Sequence, residues 1–168
     1  IYVNGFDYEF SPEKKENLAE SLSDRHFGIG SDGLIFINPS KIADFEMEMY
    51  NADGSRSQMC GNGIRCVAKY VYDHGMTTNE EFTIESMGAI KYIKLILKDG
   101  QIEKVSVDMG EPILEAKNIP VLTDKHKYIE EKLTVAGETF TATAVSMGNP
   151  HVVLFTDPNK VLEYGDKI

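Results

Sequence analysis

The sequence Met59-Cys60-Gly61-Asn62-Gly63-Ile64-Arg65-Cys66 opens an amphipathic run that ends at Asp73, and the rest of the chain is organised around this run. We predict that this run is a central helix with Cys60 at its N-terminal end. Unpaired backbone N–H groups and the helix dipole attract anions to such an end, and a cysteine there tends toward the thiolate form. Cys66 falls inside the helix among apolar neighbours, so we expect it in the core.

The segments before this helix alternate between apolar strands and polar turns. Residues 45–50 have the period of two expected of a half-buried strand, and they stop at the turn Asn51-Ala52-Asp53-Gly54-Ser55. Ser11-Pro12-Glu13 supplies an N-cap, a proline in the first turn and an early acid, which predicts a helix. The expected elements are a strand over 1–3, a helix over 12–24, a glycine-rich loop over 25–33 and strands over 34–37 and 45–50.

The segments after the central helix are predominantly β. Asp99-Gly100 predicts a tight hairpin turn, and glycine and proline after residue 109 interrupt the strand pattern. We therefore predict an α+β fold in which mainly antiparallel strands wrap around the central helix, with residues 1–108 as a first domain and 109–168 as a second unit. The expected strands cover 82–86, 90–97, 102–109, 128–135, 139–146 and 152–155.

The composition excludes several classes of partner. A formal net charge of -10 without a basic block argues against nucleic acid and against an anionic membrane surface, and no apolar run reaches the length that spans a bilayer. The 2 cysteines lie on one predicted helix, which argues against a disulfide framework and indicates a reduced, cytoplasmic setting. They also lack the spacing and the companion ligands of a metal site.

Three positions combine reactive or polar side chains with turn signals. Gly61-Asn62-Gly63 at a helix start offers N–H donors that can bind a carboxylate or phosphate, which strengthens the case for a catalytic Cys60, although a buried small apolar cysteine stays the alternative. Asn51 is either a turn former or an amide that binds a polar ligand. His151, which follows Asn149-Pro150, either satisfies a local hydrogen bond or acts as a partner of the thiol.

Five blocks of the sequence form a recognisable series. They are Gly28-Ile29-Gly30-Ser31-Asp32-Gly33, Asn51-Ala52-Asp53-Gly54-Ser55, Met59-Cys60-Gly61-Asn62-Gly63-Ile64-Arg65-Cys66, Met109-Gly110-Glu111-Pro112 and Ser146-Met147-Gly148-Asn149-Pro150-His151. Their order and spacing closely resemble those of the diaminopimelate epimerase family over nearly the whole chain. The resemblance implies a pair of similar α+β domains, each with strands around a central helix, and an active site in the cleft between them.

The resemblance also implies an activity. Family members are isomerases that interconvert LL- and meso-2,6-diaminopimelate for lysine and peptidoglycan biosynthesis, without pyridoxal phosphate or any other cofactor. Two cysteine bases on opposite faces of the α-carbon would move the proton. The implied partner is the small-molecule substrate, with a homodimer as a candidate assembly and with no nucleic acid, membrane or metal.

The site residues follow from the resemblance position by position. Cys60 resembles one of the two catalytic cysteines, and His151 resembles the histidine that modulates the cysteine pair. The second catalytic cysteine and the first asparagine segment of the family have no counterpart here. We therefore expect a first domain without its extreme N-terminus, an incomplete second domain and no activity of the chain alone. The matching substrate-binding positions are Asn51, Gly61, Asn62 and Asn149.

Two other functions stay open at this point. The nearer one is another cofactor-independent racemase of the same superfamily, of the proline or hydroxyproline type. The more distant one is a non-catalytic ligand-binding domain that uses Cys60 only as a reactive thiol. Cys66 cannot serve as the second base of an epimerase, because it lies on the same predicted helix as Cys60.

Overall fold

The computed structural model describes residues 1–57 and 60–167. Met59 of the cysteine motif and Ile168 at the end of the second predicted domain lie outside the described residues. The chain folds into two compact units, Ile1–Met109 and Gly110–Ile168.

The first unit is built on a six-stranded sheet with the strands in sequence order, β1 to β6. The pairs β1–β2 and β3–β4 are parallel, and the other three pairs are antiparallel. This arrangement confirms the predicted α+β fold with mainly antiparallel strands. The elements are β1 (Tyr2–Asn4), α1 (Pro12–Ser23), β2 (Gly33–Asn38), β3 (Phe45–Asn51), α2 (Gly61–Asp73), β4 (Glu81–Ser86), β5 (Ala89–Lys98) and β6 (Gln101–Val107).

Helices cover both faces of strand β2. Leu34 and Phe36 are fully buried in a cluster with Ala19 of α1, whereas Ile35 and Ile37 belong to the larger core that contains α2. Successive side chains of a strand point to opposite faces of the sheet. The continuous apolar run of β2 therefore reflects burial on both faces.

Helix α2 lies in the main core of the first unit. Its apolar residues recur at helical spacing, and Ile64, Val67, Ala68 and Val71 are completely buried against β2 to β6. The prediction that Cys66 lies in this core is wrong, because its side chain is exposed. At 3.6 residues per turn, Cys66 is rotated by about 200° from Ile64 and so lies on the opposite face of the helix.

The turns follow the backbone preferences of their residues. Asp99 and Gly100 join β5 to β6 with φ angles of 52° and 76°, as the predicted Asp-Gly hairpin requires. Gly33 begins β2 at φ 152°, and a methyl group there would lie 2.2 Å from the carbonyl oxygen of Tyr50. No side chain fits at Gly33 with this backbone.

The second unit contains a three-stranded antiparallel sheet, β7 (Glu131–Val135), β8 (Glu138–Ser146) and β9 (Pro150–Leu154). Strand β7 begins three residues later than predicted, because Glu130 takes a φ of 52° that interrupts the extended backbone. A short helix that we did not predict, α3 (Pro158–Tyr164), follows β9. Asp157 caps it by accepting a hydrogen bond from the Asn159 N–H at 2.8 Å.

The packing predicts unequal effects of two matched isoleucine substitutions in the sheet. Ile84 on β4 is fully buried, whereas Ile90 on β5 is 38% exposed. Ile84→Ala should lower the free energy of unfolding by about 2–5 kcal/mol, because it leaves a cavity in the core. Ile90→Ala loses the same β-branched side chain and should cost clearly less. Urea denaturation of both variants compares these values, and equal losses would contradict the described core.

Candidate functional site

Cys60 is the N-cap residue of α2. Its backbone is extended, with φ -133° and ψ 100°, and its sulfur accepts a hydrogen bond from the Gly63 N–H at 3.2 Å. The thiol thus occupies the position that a serine, threonine or aspartate oxygen usually takes at a helix start. The side chain is half-buried, so the sulfur is both held by the helix and accessible.

Gly63 leaves just enough room for this thiol. A methyl group on Gly63 would lie 3.2 Å from the Cys60 Sγ and 3.1 Å from the Ile35 Cδ1. Both distances are shorter than an ordinary van der Waals contact between such atoms. Because Ile35 is part of the core, the thiol would have to move. The glycine therefore sets the position of the sulfur as well as allowing the N–H···S bond.

Gly61 and Asn62 form the first turn of α2 behind the thiol. The first main-chain hydrogen bond of the helix runs from the Ile64 N–H to the Cys60 carbonyl at 3.0 Å. The N–H groups of Gly61 and Asn62 precede it, and a helix start offers such groups to external acceptors. These N–H donors suit an anion with oxygen acceptors, such as a carboxylate.

Arg65 adds a positive charge to the same turn, and sequence reasoning missed it. One guanidinium nitrogen donates to the Gly61 carbonyl at 3.1 Å, and another donates to the Asn62 side-chain oxygen. The charge is thereby fixed at the helix start, where it reinforces the attraction of an anion. The spacing of three and four residues along a helix was the available signal.

Asn51 lies at the end of β3 and organises the turn that follows. Its N–H donates to the Ser55 carbonyl at 2.8 Å, and its side-chain amide donates to the Ser55 hydroxyl at 3.0 Å. The Ser55 hydroxyl and N–H both bond to the Asp53 carboxylate and lower the pKa of that group. These contacts support the turn-forming interpretation, and the substrate contact of Asn51 stays a prediction.

Asn149 and His151 lie together at the β8–β9 connection of the second unit. His151 is the second residue of β9, opposite Val145, and its Nε2 is 3.0 Å from the Asn149 side-chain oxygen. The Asn149 carbonyl accepts a hydrogen bond from the Met147 N–H at 3.3 Å. The structure brings these two residues together, whereas Cys60, Gly61 and Asn62 form a separate group in the first unit.

Tyr2 is a further residue that sequence reasoning missed, and it is a neighbour of the two thiols. It lies on β1 opposite Ile35, on the sheet face that carries α2, and its ring stacks on Tyr70 with centroids 5.7 Å apart. Burial and then a hydrogen bond with Cys66 raise the pKa of Tyr2 to about 12, and the charges of Cys66 and Cys60 act in the same direction. The phenol therefore stays protonated over the range in which thiols titrate.

The described residues give no support to metal binding or to a membrane-spanning helix. Within residues 1–57 and 60–167, His, Cys, Asp and Glu side chains do not form a group of three or more that could hold a metal ion. In the same part of the chain, every helix is too short or too polar to cross a bilayer.

Comparison with protein families identifies the chain. The family model described as diaminopimelate epimerase matches residues 1–115, which include both helices of the first unit and the capped thiol. The chain belongs to the diaminopimelate epimerase family. It is 52% identical over 155 residues to the diaminopimelate epimerase of Acetivibrio thermocellus, an alignment that covers 92% of this chain and 55% of that protein.

Other relatives give the same result. The chain is 48% identical over 157 residues to the diaminopimelate epimerase of Methanococcus maripaludis, covering 94% of this chain and 56% of the relative. The chain thus spans little more than half the length of these curated members of the diaminopimelate epimerase family.

Solved structures of other enzymes share the fold at low sequence identity. A probable proline racemase from Agrobacterium radiobacter has a TM-score of 0.64 at 16% identity, covering 94% of this chain and 43% of that one. A hydroxyproline epimerase from Agrobacterium vitis has a TM-score of 0.62 at 14% identity, covering 94% and 48%. At this identity the likeness establishes the fold and not the substrate.

The cap geometry predicts that Gly63→Ala slows the chemistry of the Cys60 thiol. The added methyl group displaces the sulfur from the Gly63 N–H, so this donor no longer stabilises negative charge on the sulfur. Alkylation of Cys60 by iodoacetamide at fixed pH, followed by peptide mass spectrometry, should become about 10-fold slower, as expected for the loss of one hydrogen bond to a charged group. Alkylation of Cys66 in the same sample is the internal control. An unchanged rate at Cys60 would contradict the role given to Gly63.

Proposed function

We propose that the protein containing this chain interconverts LL- and meso-2,6-diaminopimelate without a cofactor, and that Cys60 is one of its two bases. The observation that carries the proposal is the half-buried thiol capping α2, with the Gly61 and Asn62 N–H groups beside it. Membership of the diaminopimelate epimerase family supports the choice of substrate. Lysine and peptidoglycan synthesis in the cytoplasm is the corresponding cellular role.

The proposed reaction needs two proton-transfer groups on opposite faces of the α-carbon. The Cys60 thiolate takes the α-proton, so the C–H bond breaks, an S–H bond forms and the electron pair stays on carbon. A thiol on the other face then gives its proton to that carbon, which inverts the configuration and leaves a thiolate there. In the reverse direction the two groups exchange roles.

Only one of the two bases is assigned to this chain. Cys66 lies on the same helix as Cys60, and its side chain is exposed on the face opposite the apolar stripe. A group there cannot approach the substrate from the side opposite to Cys60. Its contact with the Tyr2 hydroxyl gives Cys66 a local structural partner instead.

The start of α2 would stabilise the charge that grows during proton removal. As the α-proton leaves, negative charge spreads from the carbon into the adjacent carboxylate. The N–H groups of Gly61 and Asn62 can donate to that carboxylate, and the Arg65 guanidinium is fixed on the same turn. Donors that are already oriented before the reaction lower the barrier without reorganisation.

The remaining predicted residues would position the substrate and the bases. We assign substrate contacts to Asn51 and Asn149 and a modulating role toward the thiols to His151. The contact between His151 and Asn149 supports a joint role, because a movement of one side chain changes the hydrogen bonding of the other. Diaminopimelate carries an amino acid group at each end, so amides that both donate and accept are suitable partners.

The test compares the two cysteines of α2. Cys60→Ser should reduce the exchange of the diaminopimelate α-proton with deuterated solvent by about 10²–10⁴-fold, the usual contribution of a positioned acid or base. Cys66→Ser is the matched control on the same helix and should stay close to wild type. Proton NMR of the substrate follows the exchange, and circular dichroism checks the fold of both variants.

The same assay separates the alternatives. Retained exchange in folded Cys60→Ser would contradict the catalytic role of this thiol, whereas loss of exchange in the folded variant would disfavour the non-catalytic ligand-binding alternative. The likeness in fold to a hydroxyproline epimerase makes proline and hydroxyproline the second pair of substrates to test. Exchange of their α-protons without exchange in diaminopimelate would move the assignment to that class of racemase.

A further inference from the structure

The block Met109-Gly110-Glu111-Pro112 has no role so far, although it is one of the five recognised sequence blocks. Met109 is half-buried and is the last residue of the first unit. A methyl group on Gly61 would lie 3.6 Å from the Met109 Cε and 4.0 Å from its Sδ, which are ordinary van der Waals distances. The thioether therefore lies directly over the first residue of α2.

Lys91 holds the backbone of Met109 in place. Its ammonium donates to the Met109 carbonyl at 3.0 Å in a partly buried hydrogen bond. Inward-facing residues alternate along β5, where Ile93 and Leu95 are almost completely buried. Lys91 lies in the same row, so a lysine occupies a position that otherwise belongs to the core. Such a position is unusual for a charged side chain unless its head group has a specific partner.

A second hydrogen bond holds the chain just before Met109. The Asp108 N–H donates to the Tyr92 carbonyl at 3.0 Å, one residue beyond the end of β6. Asp108 is thus fixed to Tyr92 of β5 by a backbone hydrogen bond, and Met109 is fixed to the neighbouring Lys91 by the lysine ammonium. The side chain of Met109 reaches Gly61 from this fixed backbone.

We propose that Lys91 and Met109 are positioning residues for the binding of the substrate carboxylate at Gly61 and Asn62. The proposal rests on the function proposed above. Met109 covers the start of α2 on one side, and Lys91 keeps Met109 there. Hydrogen bonds to a carboxylate are stronger where apolar groups exclude water from the donors. Methionine suits this task, because its flexible, polarizable side chain adapts to irregular apolar contacts.

A purely structural role makes a different prediction. If Met109 and Lys91 only stabilise the sheet, their loss should lower the melting temperature and the fraction of active protein, and KM should not change. If they cover the carboxylate site, their loss weakens the hydrogen bonds to the carboxylate both in the bound substrate and in the transition state, so KM should rise and kcat per folded molecule should fall. A change in KM therefore indicates that Met109 and Lys91 cover the carboxylate site, whereas a loss of melting temperature and active fraction alone indicates a purely structural role.

The experiment uses epimerisation by the protein that contains this chain. Met109→Ala and Lys91→Met should each lower kcat/KM for diaminopimelate about 10-fold, the size expected when hydrogen bonds to a charged group are weakened, through a higher KM and a lower kcat per folded molecule. Met109→Leu and Lys91→Arg should restore most of the affinity, because leucine still covers Gly61 and a guanidinium still reaches the Met109 carbonyl.

Matched controls come from the same region of the sheet. Lys94 lies three residues along β5, is exposed and pairs with Glu81 at 2.6 Å, and Met87 is 50% exposed in the β4–β5 turn. Lys94→Met and Met87→Ala should leave KM unchanged. Hydrogen exchange of the peptide that contains residues 60–64 should become faster in Met109→Ala and stay unchanged in both controls.

The outcomes separate this proposal from the proposed function. A wild-type protein that does not exchange the α-proton of diaminopimelate would overturn the proposed function and this proposal with it. An active wild type with unchanged KM in folded Met109→Ala would overturn this proposal alone, even if Lys91→Met fails to fold. An increase in KM with recovery in Met109→Leu supports it.

Discussion

The hydrogen bond from the Gly63 N–H to the Cys60 sulfur is the interaction on which the site depends. It caps α2 at its first turn and fixes the thiol there. The apolar face of α2 is completely buried against the sheet, so the helix cannot slide or rotate without opening cavities. The packing of the core therefore also holds the thiol in its position.

The same geometry explains why an acidic protein can present a site for an anion. The chain carries a formal net charge of -10, and such a charge repels anions at long range. At short range, the first turn of α2 offers oriented N–H groups and the Arg65 guanidinium, and the turn contains no carboxylate side chain. Local dipoles at hydrogen-bonding distance outweigh a diffuse charge that salt screens.

Local signals predicted much of the first unit. The Ser11-Pro12 start of α1 and the Asp99-Gly100 hairpin depend on backbone preferences of neighbouring residues, and both are confirmed. Cys66 was misplaced because its sequence neighbours are apolar, whereas burial depends on the angle around the helix. Helix α3 was missed because its Asp157-Pro158 start precedes only two turns without a buried residue.

The candidate site was predictable only where it is contiguous in sequence. Glycines next to Cys60 indicated a thiol at a helix start, and the structure has Cys60 as the cap of α2. The contacts of Tyr2 and Met109 join residues distant in sequence, and they depend on strand pairing that no local pattern encodes. The solved structures that share this fold are only 14–16% identical to this chain, so their likeness establishes the fold and not these individual contacts.

Binding of the substrate at the start of α2 can be measured by titrating the ¹⁵N-labelled protein with diaminopimelate and following the amide resonances of Gly61 and Asn62. If the start of α2 binds the substrate carboxylate beside Cys60, both resonances should move with the same saturating dependence on ligand. Cys60→Ser should preserve these shifts, because the donors are backbone groups. Saturable binding that moves other resonances and leaves those of Gly61 and Asn62 unchanged would rule out a carboxylate site at the start of α2.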